Sequence, residues 1–178
     1  AMSIASLGHD VTAVDLSDEM LKKARCNAER LGYDIKFMQG DAENLLFYDS
    51  EFDFVVSKYV MWTLPNPDKF VKEACRVLSN GGIFCAIDNI WHNRTESLVI
   101  PEGQAYYYEC YKDLKEELPL FYENSADKII EITKRHGMSN EKIQYLNSYD
   151  MFLKNYDNQT HASEYPNPPY MVTAEKLC

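Results

Sequence analysis

The chain has 178 residues, 46% of them hydrophobic, and a formal net charge of −10. That length suits a single domain, 1–178, able to bury a sizeable core. Its 28 acidic residues do not collect in one tail. The charge argues against nucleic acid and anionic membrane as partners and favours a small molecule, although it also serves solubility alone.

The first element, Ala1 to Leu7, reads as the back half of an amphipathic helix with Gly8 as its C′ residue. No N-cap precedes it, so an upstream part is expected to be missing. Val11-Thr-Ala-Val14 is a short buried strand tipped by Asp15. Ser17 then caps a helix whose first turn carries Asp18 and Glu19, where the dipole favours anions. Met20, Leu21, Ala24, Ala28 and Leu31 give that helix its period, and Gly32 ends it. A second strand, Ile35-Lys-Phe-Met38, runs into Gly40-Asp41-Ala42-Glu43.

Phe52 to Val56 is apolar apart from Asp53, the pattern of a parallel strand covered on both faces. It runs into Ser57-Lys58-Tyr59, followed by a loop or short helix to Leu64. Asn66 caps the next helix, with Pro67 at its first position. Phe70, Val71, Ala74, Val77 and Leu78 point inward, and Asn80-Gly81-Gly82 turns the chain into a strand at Ile83–Ile87 tipped by Asp88 and Asn89. From 91 to 125 tyrosines and other aromatics stand among charges, which suggests an insertion or lid over the strand tips. Ala126–His136 is a helix closed by Gly137. Lys142–Asn147 and Tyr170–Lys176 are the last strands, with a proline-rich loop at 165–169 before the second.

This alternation predicts an α/β fold: a doubly wound, mainly parallel sheet with a C-terminal antiparallel hairpin. Open sheets of this kind bind ligands at the C-terminal ends of their strands. Asp15, Asp41 and the Ser57-Lys58-Tyr59 stretch are polar tips at that edge. A carboxylate at such a tip can accept hydrogen bonds from both hydroxyls of a ribose.

Cys26, Cys75, Cys85, Cys110 and Cys178 show no metal-ligand spacing and read as free thiols of a reducing compartment. His9, His92, His136 and His161 are scattered, so no metal site is expected. No 18-residue apolar run or signal peptide appears, which places the expectation in the cytoplasm.

Four motifs in order resemble the class I S-adenosylmethionine-dependent methyltransferases. They are Val14-Asp15-Leu16-Ser17 with Met20-Leu21, Gly40-Asp41-Ala42, Phe52-Asp53 entering a strand, and Arg76-Val77-Leu78-Ser79-Asn80-Gly81-Gly82, where the family usually reads R-V-L-K-P-G-G. The resemblance covers residues 1 to about 90 and returns at 170–176. It departs in lacking the family's first strand and glycine-rich loop, so the chain is expected to be truncated and inactive alone.

The resemblance implies S-adenosylmethionine as cofactor. Asp15 would bind the ribose hydroxyls and Leu16 and Met20 would pack on the adenine. Asp41 would accept from the adenine amino group, the Ala42 N–H would meet a ring nitrogen, and backbone near Ser57 and Lys58 would face the methionine amine. The acceptor would be a small molecule, with Trp62, Trp91, Tyr107 and Tyr111 as candidate walls; a homodimer stays open. No catalytic base is forced by the sequence, His92 and Asp88 being as readily surface or turn residues.

Each residue also has a plainer reading. Asp15 can simply begin a helix, Asp41 can be a turn residue, Met20 and Trp62 can be core, and Lys58 a solvated charge. Two other classes of function remain: a non-catalytic nucleotide-binding or scaffold domain, and an NAD-binding oxidoreductase fragment, against which the Gly40–Ala42 and Arg76–Gly82 motifs argue.

Overall fold

The computed structural model describes residues 1–89, 111, 113–114, 117–121, 124–147 and 169–177. They fall into two compact units, Ala1–Phe47 and Tyr48–Cys178.

The first unit holds α1 (Met2–Ala5), β1 (Thr12–Asp15), α2 (Asp18–Leu31) and β2 (Lys36–Gln39). α1 is one turn, shorter than the pattern at 1–7 predicts, and buries no residue. Ser17 caps α2 as expected, its Oγ accepting from Met20 N at 3.3 Å. Gly32 closes it in the left-handed region at φ 72. β1 and β2 pair in parallel, Thr12 with Lys36 through Asp15 with Gln39. Leu21 and Ala28 of α2 and Ile35 are the buried apolar side chains of this unit.

The second unit holds β3 (Phe52–Lys58), a 3-10 turn (Met61–Thr63), α3 (Pro67–Val77), β4 (Leu78–Asp88), α4 (Ala126–Arg135), β5 (Met138–Tyr145) and β6 (Tyr170–Lys176). Asn66 and Pro67 start α3 as their chemistry requires, Asn66 Oδ1 accepting from Lys69 N at 2.9 Å. The sheet order is β3-β4-β6-β5. β3 and β4 are parallel, while β6 runs antiparallel to both β4 and β5. The four-stranded sheet is therefore mixed, because β6 inserts between β4 and β5. β1 and β3 belong to separate sheets.

One face of this sheet is packed. Phe84 of β4 meets Phe70 of α3 edge-on, with ring centroids 6.0 Å apart, and Ile129 and Ile132 of α4 are buried. The other face differs from the sequence reading. Phe54 is 43% exposed and Val56 37%, and Ile83, in register with Phe54, is also exposed. No described element covers this end of that face, over the edge strand β3 and the interior strand β4 alike, so the apolar run of β3 is not covered on both faces.

The Arg76–Gly82 stretch is a structural hinge of the unit. Arg76 pairs with Glu73 and Asp49, both at 2.8 Å, and its backbone carbonyl accepts from Ser50 N at 3.0 Å. The ladder skips between Leu78 and Ile83, and Gly81 turns at φ 76. A side chain at Gly82 would stand 2.8 Å from Ser79 O and 3.2 Å from Asp53 O, so glycine is required there. The fifth strand begins at Met138, directly after Gly137, and not at Lys142. A bulge with Asn140 at φ 55 splits it into two parts, and sequence periodicity sees only the second.

Candidate functional site

In the first unit the two strand tips lie side by side. Asp15 pairs with Gln39, its carbonyl accepts from Gly40 N at 3.1 Å, and Gln39 Nε2 donates to Leu16 O at 3.0 Å. The Asp15 carboxylate accepts from Ser17 N at 2.8 Å through Oδ1, and the residue is exposed. Asp41 makes the matching local bond, Oδ1 to Glu43 N at 2.8 Å, and is exposed as well. A Cβ at Gly40 would come within 3.1 Å of Val14 Cγ1, so this crossing favours the smallest residue. Ala42, at the next position, is half-buried.

Leu16 and Met20 do not enter a core. They are 71% and 53% exposed, an apolar pair left open beside a carboxylate. Asp15 ends β1 and Ser17, not Asp15, caps α2; the bond from Ser17 N uses only one of the two carboxylate oxygens of Asp15.

In the second unit the β3 tip carries Ser57, Lys58 and Tyr59. Ser57 is buried, and its hydroxyl has no hydrogen-bond partner. Lys58 is exposed with Nζ 5.0 Å from the Tyr59 ring centroid. Tyr59 sits at φ 59, in the left-handed region that costs a bulky residue energy, and donates its N–H to Ile87 O at 2.9 Å. Nothing in the residue type of Tyr59 signals that conformation in a sequence.

The β4 tip next to it is polar and sealed. Asp88 and Asn89 are buried, Asp88 Oδ1 accepting from Asn89 N at 2.9 Å. Asn124 donates to Asn89 O at 2.9 Å and accepts from the Tyr170 hydroxyl at 3.0 Å. Burial pushes the Tyr170 phenol well above its ordinary range, and the Asp88 and Tyr145 charges push the same way. Sequence reasoning noticed Asp88 but not this network, whose members are 35 and 46 residues apart.

Of the acceptor-wall candidates, Trp62 and Tyr111 are brought together, with ring centroids 5.3 Å apart and Phe121 completing the cluster at 5.8 Å from Trp62. Trp62 is buried there. Trp91 and Tyr107, with most of the predicted 91–125 insertion, lie outside the described residues. A groove of about 380 Å³ lies elsewhere in this unit, lined by Asn66, Asp68, Lys128 and Arg135 among others, and none of the sequence-derived site residues lines it. Among the described residues no cluster could hold a metal ion, and no helix is long and apolar enough to cross a membrane.

A family model described as a methyltransferase domain matches residues 1–86. The chain is 30% identical over 163 residues to a demethylmenaquinone methyltransferase of Desulfitobacterium hafniense, an alignment covering 82% of this chain and 62% of that protein. The chain is similar to S-adenosylmethionine-dependent methyltransferases, in sequence over its first half and in fold throughout. Solved methyltransferases carry the same fold. One from Methanosarcina mazei superposes with a TM-score of 0.62 at 20% identity, covering 99% of this chain and 86% of its own. A phosphoethanolamine N-methyltransferase of Haemonchus contortus, solved with S-adenosyl-L-methionine, gives 0.68 at 18% identity over 99% of this chain and 46% of its own. The chain thus spans about 62% of the length of its demethylmenaquinone relative.

The first unit thus offers an exposed carboxylate near each strand tip, Asp15 and Asp41, and exposed apolar side chains at Leu16 and at Met20 of α2.

Proposed function

We propose that the protein binds S-adenosylmethionine and moves its methyl group to a small, partly apolar acceptor. The observation that carries this reading is the exposure of Leu16 and Met20 beside the Asp15 carboxylate. A folded protein gains by burying such side chains, about 25 cal/mol per Å² of apolar surface, and an adenine laid on them recovers that gain. Asp15 holds the ribose hydroxyls, Asp41 accepts from the adenine amino group, and the Ala42 N–H meets a ring nitrogen.

S-adenosylmethionine supplies an already activated methyl on a sulfonium. The side chains therefore have little chemistry to perform beyond holding the acceptor atom in line, about 3–3.5 Å from the methyl, and excluding water. The demethylmenaquinone relative's name supports an acceptor with an apolar body.

The test is calorimetry on the complete protein. S-adenosylhomocysteine is expected to bind at about micromolar Kd, and Asp15→Ala to weaken it by roughly 1.5–3 kcal/mol, the range for a hydrogen bond to a charged group. A variant that binds as tightly as the wild type would remove Asp15 from the site.

A further inference from the structure

Among the described residues five polar side chains are buried: Ser57, Asp88, Asn89, Asn124 and Thr133. Thr133 is explained by its own helix, its hydroxyl donating to Ile130 O at 2.9 Å. The other four gather at the C-terminal ends of β3 and β4, the edge at which open α/β sheets place their ligands.

Two of the four converge on the same face. Ser57 is in register with Ala86, and Asp88 lies two residues further along β4, so both side chains point to the packed side of the sheet. A strand spacing of about 4.8 Å and a rise of about 3.3 Å per residue put their Cα atoms about 8 Å apart. Ser57 is only 5% exposed, and its Oγ has no partner. A sealed, unpartnered hydroxyl is costly, so its persistence beside a buried carboxylate asks for a ligand atom. Asn124 and Tyr170 hold the surrounding wall through their own hydrogen bonds.

We propose that Ser57 Oγ and the Asp88 carboxylate form the seat of a hydroxyl group on the acceptor, which makes the acceptor an alcohol or a phenol. The acceptor's oxygen takes a hydrogen bond from Ser57, and its O–H donates to Asp88. A single hydroxyl can do both, and two bonds of about 2.7 Å plus the two side chains span the separation. An ammonium group donates only and leaves the Ser57 proton unmatched. The Ser57 backbone is untouched by this role and stays available to the cofactor. The identification of the alcohol as the methyl acceptor rests on the methyltransferase reading above.

The experiment compares 1-naphthol with 1-methoxynaphthalene, which differ by the hydroxyl proton, by calorimetry on the complete protein with and without S-adenosylhomocysteine. The wild type is expected to bind the alcohol at least about tenfold more tightly than the ether. Asp88→Asn should shrink that ratio to about two- or threefold while ether affinity holds, a change that misfolding would not produce, and Ser57→Ala should weaken alcohol and ether alike by about five- to tenfold with S-adenosylhomocysteine affinity unchanged. If Asp88→Asn does not fold, Asp88→Ser takes its place. Equal wild-type affinities, a preference that survives the substitution of Asp88, or displacement of naphthol by stoichiometric benzylamine would each overturn the proposal. An alcohol preference without S-adenosylhomocysteine binding keeps the hydroxyl seat and removes the methyltransferase reading; the converse result removes only the seat.

Discussion

The two units treat polar and apolar groups in opposite ways. Of the 24 buried hydrophobic residues among those described, Leu21, Ala28 and Ile35 belong to Ala1–Phe47 and the other 21 to Tyr48–Cys178. The first unit leaves Leu16, Met20, Leu31 and Leu46 exposed, and its carboxylates at Asp15 and Asp41 stand in solvent. The second seals polar groups inside: Ser57, Asp88, Asn89 and Asn124. A nucleoside can be recognised by a surface that costs little to keep open. A hydroxyl has to be recognised where water cannot compete, and that requires a rigid core around it.

Substitutions separate the two regimes, the largest effect coming from the core. Phe84 is fully buried against Phe70, so Phe84→Ala should lower the unfolding free energy by about 3–5 kcal/mol in urea titration. A loss below about 1 kcal/mol would mean that the four-stranded sheet is not the stable part.

A pH titration is the next largest probe. Burial pushes the Cys85 thiol up from 9.0 to about 11. The folded-state value is raised, so the full stability is present below pH 9 and is lost as pH rises through about 11. With roughly 1.36 kcal/mol for each unit, the loss attributable to Cys85 is about 2–3 kcal/mol. Tyr170 is raised by burial and by Asp88, and so pulls in the same direction at higher pH. Thermal melts between pH 8 and 11 should show the slope, and Cys85→Ala should flatten its first part. An unchanged slope in that variant would assign it elsewhere.

The smallest effect tests the open unit. Leu16→Ser with Met20→Ser should leave stability within about 0.5 kcal/mol, because both side chains are already exposed. The same pair should weaken S-adenosylhomocysteine by about 1 kcal/mol, the value of a modest apolar contact. A large drop in melting temperature with intact affinity would mean that the pair is structural.

Much of the fold could be read locally. Ser17, Gly32, Asn66, Pro67 and Gly137 act as the caps and stops that their chemistry predicts, and β6 spans Tyr170–Lys176 as expected. The spacing of Asp15 and Asp41 at strand tips was equally legible, because each follows a short apolar run. What could not be read depends on sheet order and distant pairing. Phe54 and Val56 look like core until their face of the sheet is seen to be open there, at Ile83 of β4 as well. The Asn89, Asn124 and Tyr170 network joins residues from three separate segments, and no periodicity carries that information. Tyr59 is of a type that ordinarily avoids a positive φ, so its conformation has no sequence signal at all.

Asn89 and Asn124 are 35 positions apart along the chain and one hydrogen bond apart in space. Once two points of a chain are held together, lengthening the stretch between them is cheap: each doubling adds only about 0.6 kcal/mol of closure entropy. Closure entropy therefore sets little limit on the length of the stretch between these two asparagines, and the constraint on it comes instead from the side chains it buries, Leu118, Leu120 and Phe121.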